Sequence, residues 1–152
     1  MFPKIIILSA LFALSAAVPS NLTNISVRAA KSYTVSANEV SFVQAWGYCS
    51  NQNKAFASVL TQAQNTAIVN SLVSYPTGTF WIGGIYLQHG ALKTWYWVNE
   101  NEDFSYQNWQ RTPVITTTTI NYCILLNYNA TSKTGAWTAE ICSNGHYFIC
   151  EN

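Results

Sequence analysis

The chain has 152 residues, of which 7 are Lys or Arg and 6 are Asp or Glu, so 9% is charged beside 49% apolar. That is roughly a third of the usual charged share of about 25%, and it is the reverse of the balance that keeps a chain disordered. A formal net charge of +1 cannot neutralise many phosphates, which excludes a polybasic nucleic-acid surface, and the length suits one domain around one core.

Lys4 precedes an apolar run from Ile5 to Ala17, broken only by Ser9 and Ser15, and Val18, Pro19 and Ser20 follow it. These are the three parts of a secretory signal peptide, expected over residues 1–17, and the run is too short for the ~20 residues of a spanning helix. Ser15 and Ala17 give the small-x-small pattern for cleavage after Ala17, with cleavage after Ser20 as the alternative. Without Lys4 the 7 basic residues become 6, against 6 acidic ones. No other apolar run approaches the ~18 residues a membrane span needs. The expectation is a secreted, extracellular protein with no membrane insertion.

Residues 18–31 are polar and unpatterned, a flexible segment before a domain spanning 32–152. Two capping boxes announce the first helix, Ser36 with Glu39 and Ser41 with Gln44, in which a hydroxyl and a side chain three residues on satisfy free backbone N–H groups. Phe42, Trp46, Cys49 and Asn53 recur at helical spacing and put Cys49 on a buried face. Phe56 to Leu60 suits a short strand. Thr61 with Gln64 opens a second helix carrying Ala67, Ile68, Leu72 and Tyr75, which Pro76 and Gly78 stop.

From Thr79 onward, aromatic and β-branched segments alternate with polar turns: 79–87, 94–98, 122–128, 136–138 and 146–150. Two helices followed by a run of strands is the pattern of an α+β domain. Between Trp109 and Tyr122 lies an aperiodic stretch with Pro113 and the run Thr116 to Thr119. A loop of this kind inside a compact domain points to function.

The four cysteines, Cys49, Cys123, Cys142 and Cys150, lack a C-x-x-C pair, and His89 and His146 stand at no ligand-like offset, so a zinc site is not expected. In an oxidising compartment an even count pairs fully, and four cysteines permit three pairings that spacing does not separate. Secretion also makes the N-x-S/T sequons at Asn21, Asn24 and Asn129 candidate glycosylation sites.

Trp81-Ile82-Gly83-Gly84, Trp95-Tyr96-Trp97 and Asn108-Trp109, followed by Cys123, Trp137, Cys142 and Phe148-Ile149-Cys150-Glu151, resemble in order and spacing the W-I-G-L, W-x-W, N-W, C, W, C and F-I-C-E elements of C-type lectin-like domains. The resemblance covers about Ser32 to Asn152. It implies the C-type lectin-like fold, with two helices, antiparallel strands, a long irregular loop region and two disulfides, Cys49 with Cys150 and Cys123 with Cys142. It also implies that Trp46, Trp81, Trp97, Trp109 and Trp137 are mostly core. Of the neighbours Trp95 and Tyr96, one must face outward.

Sugar-binding members of that family hold calcium with E-P-N or Q-P-D in the long loop and W-N-D on the next strand, and calcium needs about six to eight oxygens with carboxylates prominent. Here the loop reads Thr112-Pro113-Val114, with a cis bond implied at Pro113, and the strand reads Trp137-Thr138-Ala139. Asn121 and Tyr122 stand where an acidic ligand often precedes the cysteine. The usual calcium site is therefore not expected, and no other cofactor or metal is.

The acidic run Asn99-Glu100-Asn101-Glu102-Asp103 includes the protein's single aspartate, Asp103. It reads as a solvated loop that keeps a neutral, apolar chain soluble. A glycosidase pair would need a cleft between two carboxylates at about 5 to 9.5 Å, and neither histidine has a nucleophile beside it in sequence, so a small secreted hydrolase is the remote reading and no catalytic residue is expected. The resemblance implies a binding protein active in innate recognition, taking a glycan, or else an extracellular protein, through Arg111, Thr112, Pro113, Val114 and Asn121. In the protein-partner reading Val114, Ile115 and Ile120 are the apolar anchors. Some antifreeze proteins share the fold, but four threonines are a weak ice-binding signal.

Overall fold

The computed structural model describes residues 31–89, 92–100, 104–116 and 120–152. The elements run β1 (Tyr33–Val35), α1 (Phe42–Asn51), β2 (Ala55–Phe56), α2 (Gln62–Ser71), β3 (Gly78–His89), β4 (Leu92–Trp97), β5 (Tyr122–Asn129), β6 (Thr134–Ile141) and β7 (Tyr147–Glu151). The main sheet order is β1-β7-β3-β5-β6, with β2 pairing β7 and β4 pairing β3. Of these pairings only β3 with β7 is parallel. This is the expected α+β architecture, with both helices ahead of the long strands.

Helix α1 starts where the second capping box puts it. Gln44 Oε1 accepts from the Ser41 backbone N–H at 3.1 Å and from its hydroxyl at 2.9 Å. The first box caps nothing, because Ser36 is engaged by the last strand: Phe148 N–H donates to Ser36 Oγ at 2.9 Å, and Ser36 N–H donates to Phe148 O. Phe42, Ala45 and Cys49 form the buried stripe of α1. Trp46 departs from the core expectation. It is 38% exposed, and its indole N–H donates to Asn99 Oδ1 at 3.3 Å. Asn53 is exposed beyond the helix end, with φ of 55°.

Thr61 caps α2, its hydroxyl accepting from Gln64 N–H at 3.2 Å, while Gln64 Oε1 reaches one residue past the cap to Leu60 N–H. The buried face of α2 holds Asn65, Ile68 and Val69. A buried asparagine needs partners, and Asn65 has them in Trp137 Nε1 at 3.2 Å and Gly135 O at 3.4 Å. Strand β1 is absent from the sequence reading, and the stretch Phe56 to Leu60 pairs as a strand only at its start. Beyond Phe56 it continues as buried irregular chain, with Ala57 N–H on Ile149 O and Gly83 N–H on Ala57 O.

One core cluster joins α2 to the sheet through Ile68, Val69, Leu72, Ile82, Trp97, Ile124, Leu126 and Trp137. A second joins α1 to it through Phe42, Phe56, Trp81, Leu125 and Phe148 together with all four cysteines. The disulfides are Cys49–Cys150 and Cys123–Cys142, with Cα separations of 5.6 and 5.1 Å. The first ties α1 to the last strand. The second ties β5 to the turn after β6.

Candidate functional site

The long loop is held at both ends by the edge strand β6. At its start the chain lies along Trp137: Trp137 N–H donates to Asn108 O at 2.8 Å, Gln110 N–H donates to Trp137 O at 2.9 Å, and Asn108 Nδ2 donates to Gly135 O at 2.7 Å. At its end, Cys142 N–H donates to Asn121 O at 3.0 Å and Tyr122 pairs with Ile141. The anchor points are four strand residues apart, about 13 Å at ~3.3 Å per residue.

Around Trp137, beside the start of the loop, lies an aromatic cluster. Trp97 and Trp137 are fully buried and meet edge to face at 5.5 Å. Phe104 stacks on Trp97 at 5.3 Å, and Tyr106 and Trp109 each meet Trp137 at 5.6 Å. Half-buried Trp95 extends the cluster outward, 4.9 Å from Trp109 and 5.2 Å from Tyr86 across the β3–β4 pair. The outward neighbour in the W-x-W strand is Tyr96, 38% exposed. Burial raises the Tyr106 phenol above its ordinary value of 10.0, and its hydroxyl donates to Gln62 Oε1 at 2.9 Å. Tyr86, Phe104 and Tyr106 do not figure in the sequence reading. The signal for Tyr86 is its place on the same strand face as Phe80 and Ile82.

Of the expected loop residues, Arg111, Thr112 and Val114 are exposed and Pro113 is half-buried. Val114 stands out at 83% exposure. The peptide bond at Pro113 is trans, as are all bonds among the described residues, which corrects the implied cis bond. Trans is the lower-energy isomer of X–Pro by about 0.5–1 kcal/mol unless a tight turn demands the other. Asn121 faces elsewhere, lining an open groove of about 780 Å³ against α1 with Ser41, Val43, Gln44 and Ile120. None of Arg111, Thr112, Pro113 or Val114 lines that groove.

The positions matched to calcium ligands do not fit that ion. Thr112 brings a hydroxyl, Val114 and Ala139 bring hydrocarbon, and the Thr138 hydroxyl already accepts from Asn127 Nδ2 at 2.8 Å. The next carboxylate on the strand, Glu140, is committed to the turn, its Oε1 accepting from Ile141 N–H at 2.7 Å and Asn144 Nδ2 at 2.9 Å. A hard cation with six to eight oxygen ligands finds no carboxylate at Thr112, Val114, Thr138 or Ala139.

Of the acidic run only Asn99 and Glu100 are described; Asn99 is exposed, and Glu100 is not solvated as expected. Glu100 is 14% exposed and pairs with Lys31 at 3.0 Å, and Ser58 Oγ donates to it at 2.6 Å. Asn99 Nδ2 donates to Phe56 O at 3.0 Å. His146 Nδ1 meets Thr79 Oγ1 at 2.9 Å, with its ring edge to face on Trp81. Asn129 is exposed at the end of β5. Asn101, Glu102 and Asp103, the run Thr117 to Thr119, and residues 1–30 with Asn21 and Asn24 lie outside the described residues. Among the described residues no group of three His, Cys, Asp or Glu side chains could hold a metal, and no helix is long and apolar enough to cross a membrane.

Comparison with solved structures places this architecture among known ones. The C-type lectin domain of murine dendritic cell inhibitory receptor 2, solved with an N-glycan, superposes with a TM-score of 0.62 at 18% identity, over 80% of this chain and 90% of that one. A calcium-independent type II antifreeze protein gives 0.62 at 22%, over 80% and 85%. Human lithostathine gives 0.64 at 22%, over 80% and 90%. No curated protein matches the sequence. The sequence profile described as Lectin C-type domain matches residues 38–152, more than half of the chain, and the chain therefore belongs to the C-type lectin domain family.

Proposed function

We propose that this chain is a secreted carbohydrate-recognition protein that binds glycans through the loop from Trp109 to Asn121 without calcium. The observation that carries the reading is the combination at β6: a loop pinned at both ends to this strand, with half-buried Trp95 and Trp109 clustered at its start, beside ligand positions without carboxylates. Aromatic faces offer stacking, and exposed Thr and Asn side chains offer hydrogen bonds. A fold relative solved with an N-glycan and another described as calcium-independent make both halves of the reading compatible with this fold. Two disulfides and a signal-like amino terminus support secretion. The proposed role is binding, with no catalytic step.

A glycan array read in calcium and again in chelator tests this. Equal binding in both conditions is expected. Binding abolished by chelator would overturn the calcium-free claim.

A second reading, recognition of an extracellular protein by the same loop, is favoured by Val114, whose side chain stands in solvent at 83% exposure. An exposed apolar anchor of this kind suits a protein interface. No glycan signal in either condition, with a partner captured by the wild type and lost in Val114→Asp, would favour it.

A further inference from the structure

Asn129, Ala130 and Thr131 form an N-x-T sequon at the tip of the β5–β6 hairpin, where Asn129 pairs with Thr134 as the last rung of the ladder. Asn129 and Thr131 are both exposed. The turn between them and β6 is well defined. Asn129 Oδ1 accepts from the backbone N–H groups of Thr131 at 2.9 Å and Ser132 at 3.0 Å, Ala130 N–H donates to Thr77 Oγ1 at 3.0 Å, and Lys133 closes the turn with φ of 52°. The amide oxygen is thus held by the turn, while Asn129 Nδ2 makes no hydrogen bond among the described residues. A substituent on that nitrogen displaces no contact of the fold.

We infer that Asn129 is an N-glycosylation site and that its glycan stands at the tip of the β5–β6 hairpin. The inference rests on the proposed secretion, since the donor is a polyprenyl-diphosphate oligosaccharide of the secretory pathway. In the transfer Nδ2 bonds to C1 of the reducing-end sugar, the C1–O bond to the diphosphate breaks, polyprenyl diphosphate leaves with the electron pair, and one amide proton passes to solvent base. The loop enters β5 at Tyr122, seven strand residues from Asn129, about 24 Å at ~3.4 Å per residue. The glycan therefore covers the hairpin tip near Thr77, far from the end of the loop at Tyr122 and three strand residues, about 10 Å, from its start on Trp137.

The test expresses the full chain in a eukaryotic secretory host, once with its own amino terminus and once behind a heterologous secretion leader. Protein from the medium is reduced and mapped. Trypsin releases the peptide Thr112–Lys133, whose sole sequon is Asn129. A sugar-bearing peptide is expected, in which amidase treatment removes the glycan and turns the Asn129 side chain into a carboxylate. The glycan should be lost in Thr131→Ala and retained in Thr131→Ser. Thr131→Ala keeps the backbone N–H that Asn129 Oδ1 accepts, so its fold is not at risk from the substitution. A bare peptide in folded, leader-secreted protein, or a glycan that persists in Thr131→Ala, would overturn the inference. Glycosylation behind the heterologous leader but no secretion from the native amino terminus would sink the secretion reading while leaving this site standing.

Discussion

Lys31 and Glu151 stand 120 positions apart in the chain and meet at 2.8 Å. Lys31 Nζ also reaches Glu100 and Ser58 Oγ, each at 3.0 Å, and Ser58 N–H donates to Glu151 Oε2 at 3.1 Å. Lys31 thus meets two carboxylates where the chain just ahead of β1, the chain after β2, the turn after β4 and the last strand converge. The three charged side chains are 8% to 19% exposed.

Removing Lys31 takes away a cation that both carboxylates share beside Ser58. Breaking a wholly buried pair costs about 3–5 kcal/mol and a surface pair under about 1, so Lys31→Met at this partly shielded site is expected to cost ~1–3 kcal/mol in urea denaturation. Adding Glu100→Gln to Lys31→Met removes one of those two carboxylates and recovers part of the loss. A Lys31→Met variant as stable as the parent would mean that the cluster contributes nothing to the fold.

The two disulfides differ in the loops they close, 101 residues for Cys49–Cys150 and 19 for Cys123–Cys142. On the chain-entropy account these stabilise by about 4.7 and roughly 3 kcal/mol. Replacing the first pair by alanines should therefore lower the denaturation midpoint more than replacing the second. The reverse order would show that native packing, rather than unfolded-state entropy, governs the difference.

Gly84 sits where an added Cβ would lie 2.3 Å from Ile124 Cδ1 and 2.6 Å from its Cγ1, and Ile124 is fully buried. Gly84→Ala overpacks this contact and is expected to cost about 1–3 kcal/mol. Ile124→Val in the same background removes one methyl from the contact and should recover part of it. Thermal unfolding of the two variants decides the point.

Tyr33 titrates late. Burial, with the Glu151 carboxylate adding to it, raises the phenol from 10.0 to about 12, and its hydroxyl is buried without a hydrogen-bond partner. A raised value means that the folded chain keeps this proton while the unfolded chain releases it. The associated stability is fully present below about pH 10 and is lost as the pH rises through about 12. The difference in urea midpoint between the parent and Tyr33→Phe should be flat below pH 10 and shift against the parent above it. A flat difference throughout would refute the shift.

Calcium should leave the melting temperature unchanged. A ligand that binds only the folded state stabilises it in proportion to RT ln(1 + [L]/Kd), so millimolar calcium would raise Tm markedly if a site of ordinary affinity were present. Scanning calorimetry in calcium and in chelator should superimpose. A calcium-dependent rise would place a site among residues other than those matched to the usual ligands.

Much of this was legible because it is local. The capping pairs at Ser41 and Thr61, the aromatic β-branched strands and the ordered W, C and F-I-C-E elements each depend on residues within a few positions. What sequence misread was set by distant partners. Ser36 matched a capping box but is taken by Phe148, and Trp46 had the spacing of a core residue but finds Asn99 near the surface. Glu100 sat in an acidic run that reads as solvated, until Lys31 and Ser58 enclose it.

By itself the sequence determined the composition of the site: a single aspartate outside every matched ligand position, and a strand reading Thr138-Ala139 where carboxamide and carboxylate would bind calcium. Side-chain chemistry is local, so no folding step could restore the missing oxygens. Only the tertiary structure decided what stands in their place. Backbone hydrogen bonds pin the loop to both Trp137 and Cys142, and rings from β3, β4, the loop's first residue and β6 meet in one chain of contacts. These rings belong to segments far apart in the chain, and sheet register, which no short stretch of sequence specifies, is what brings them into contact.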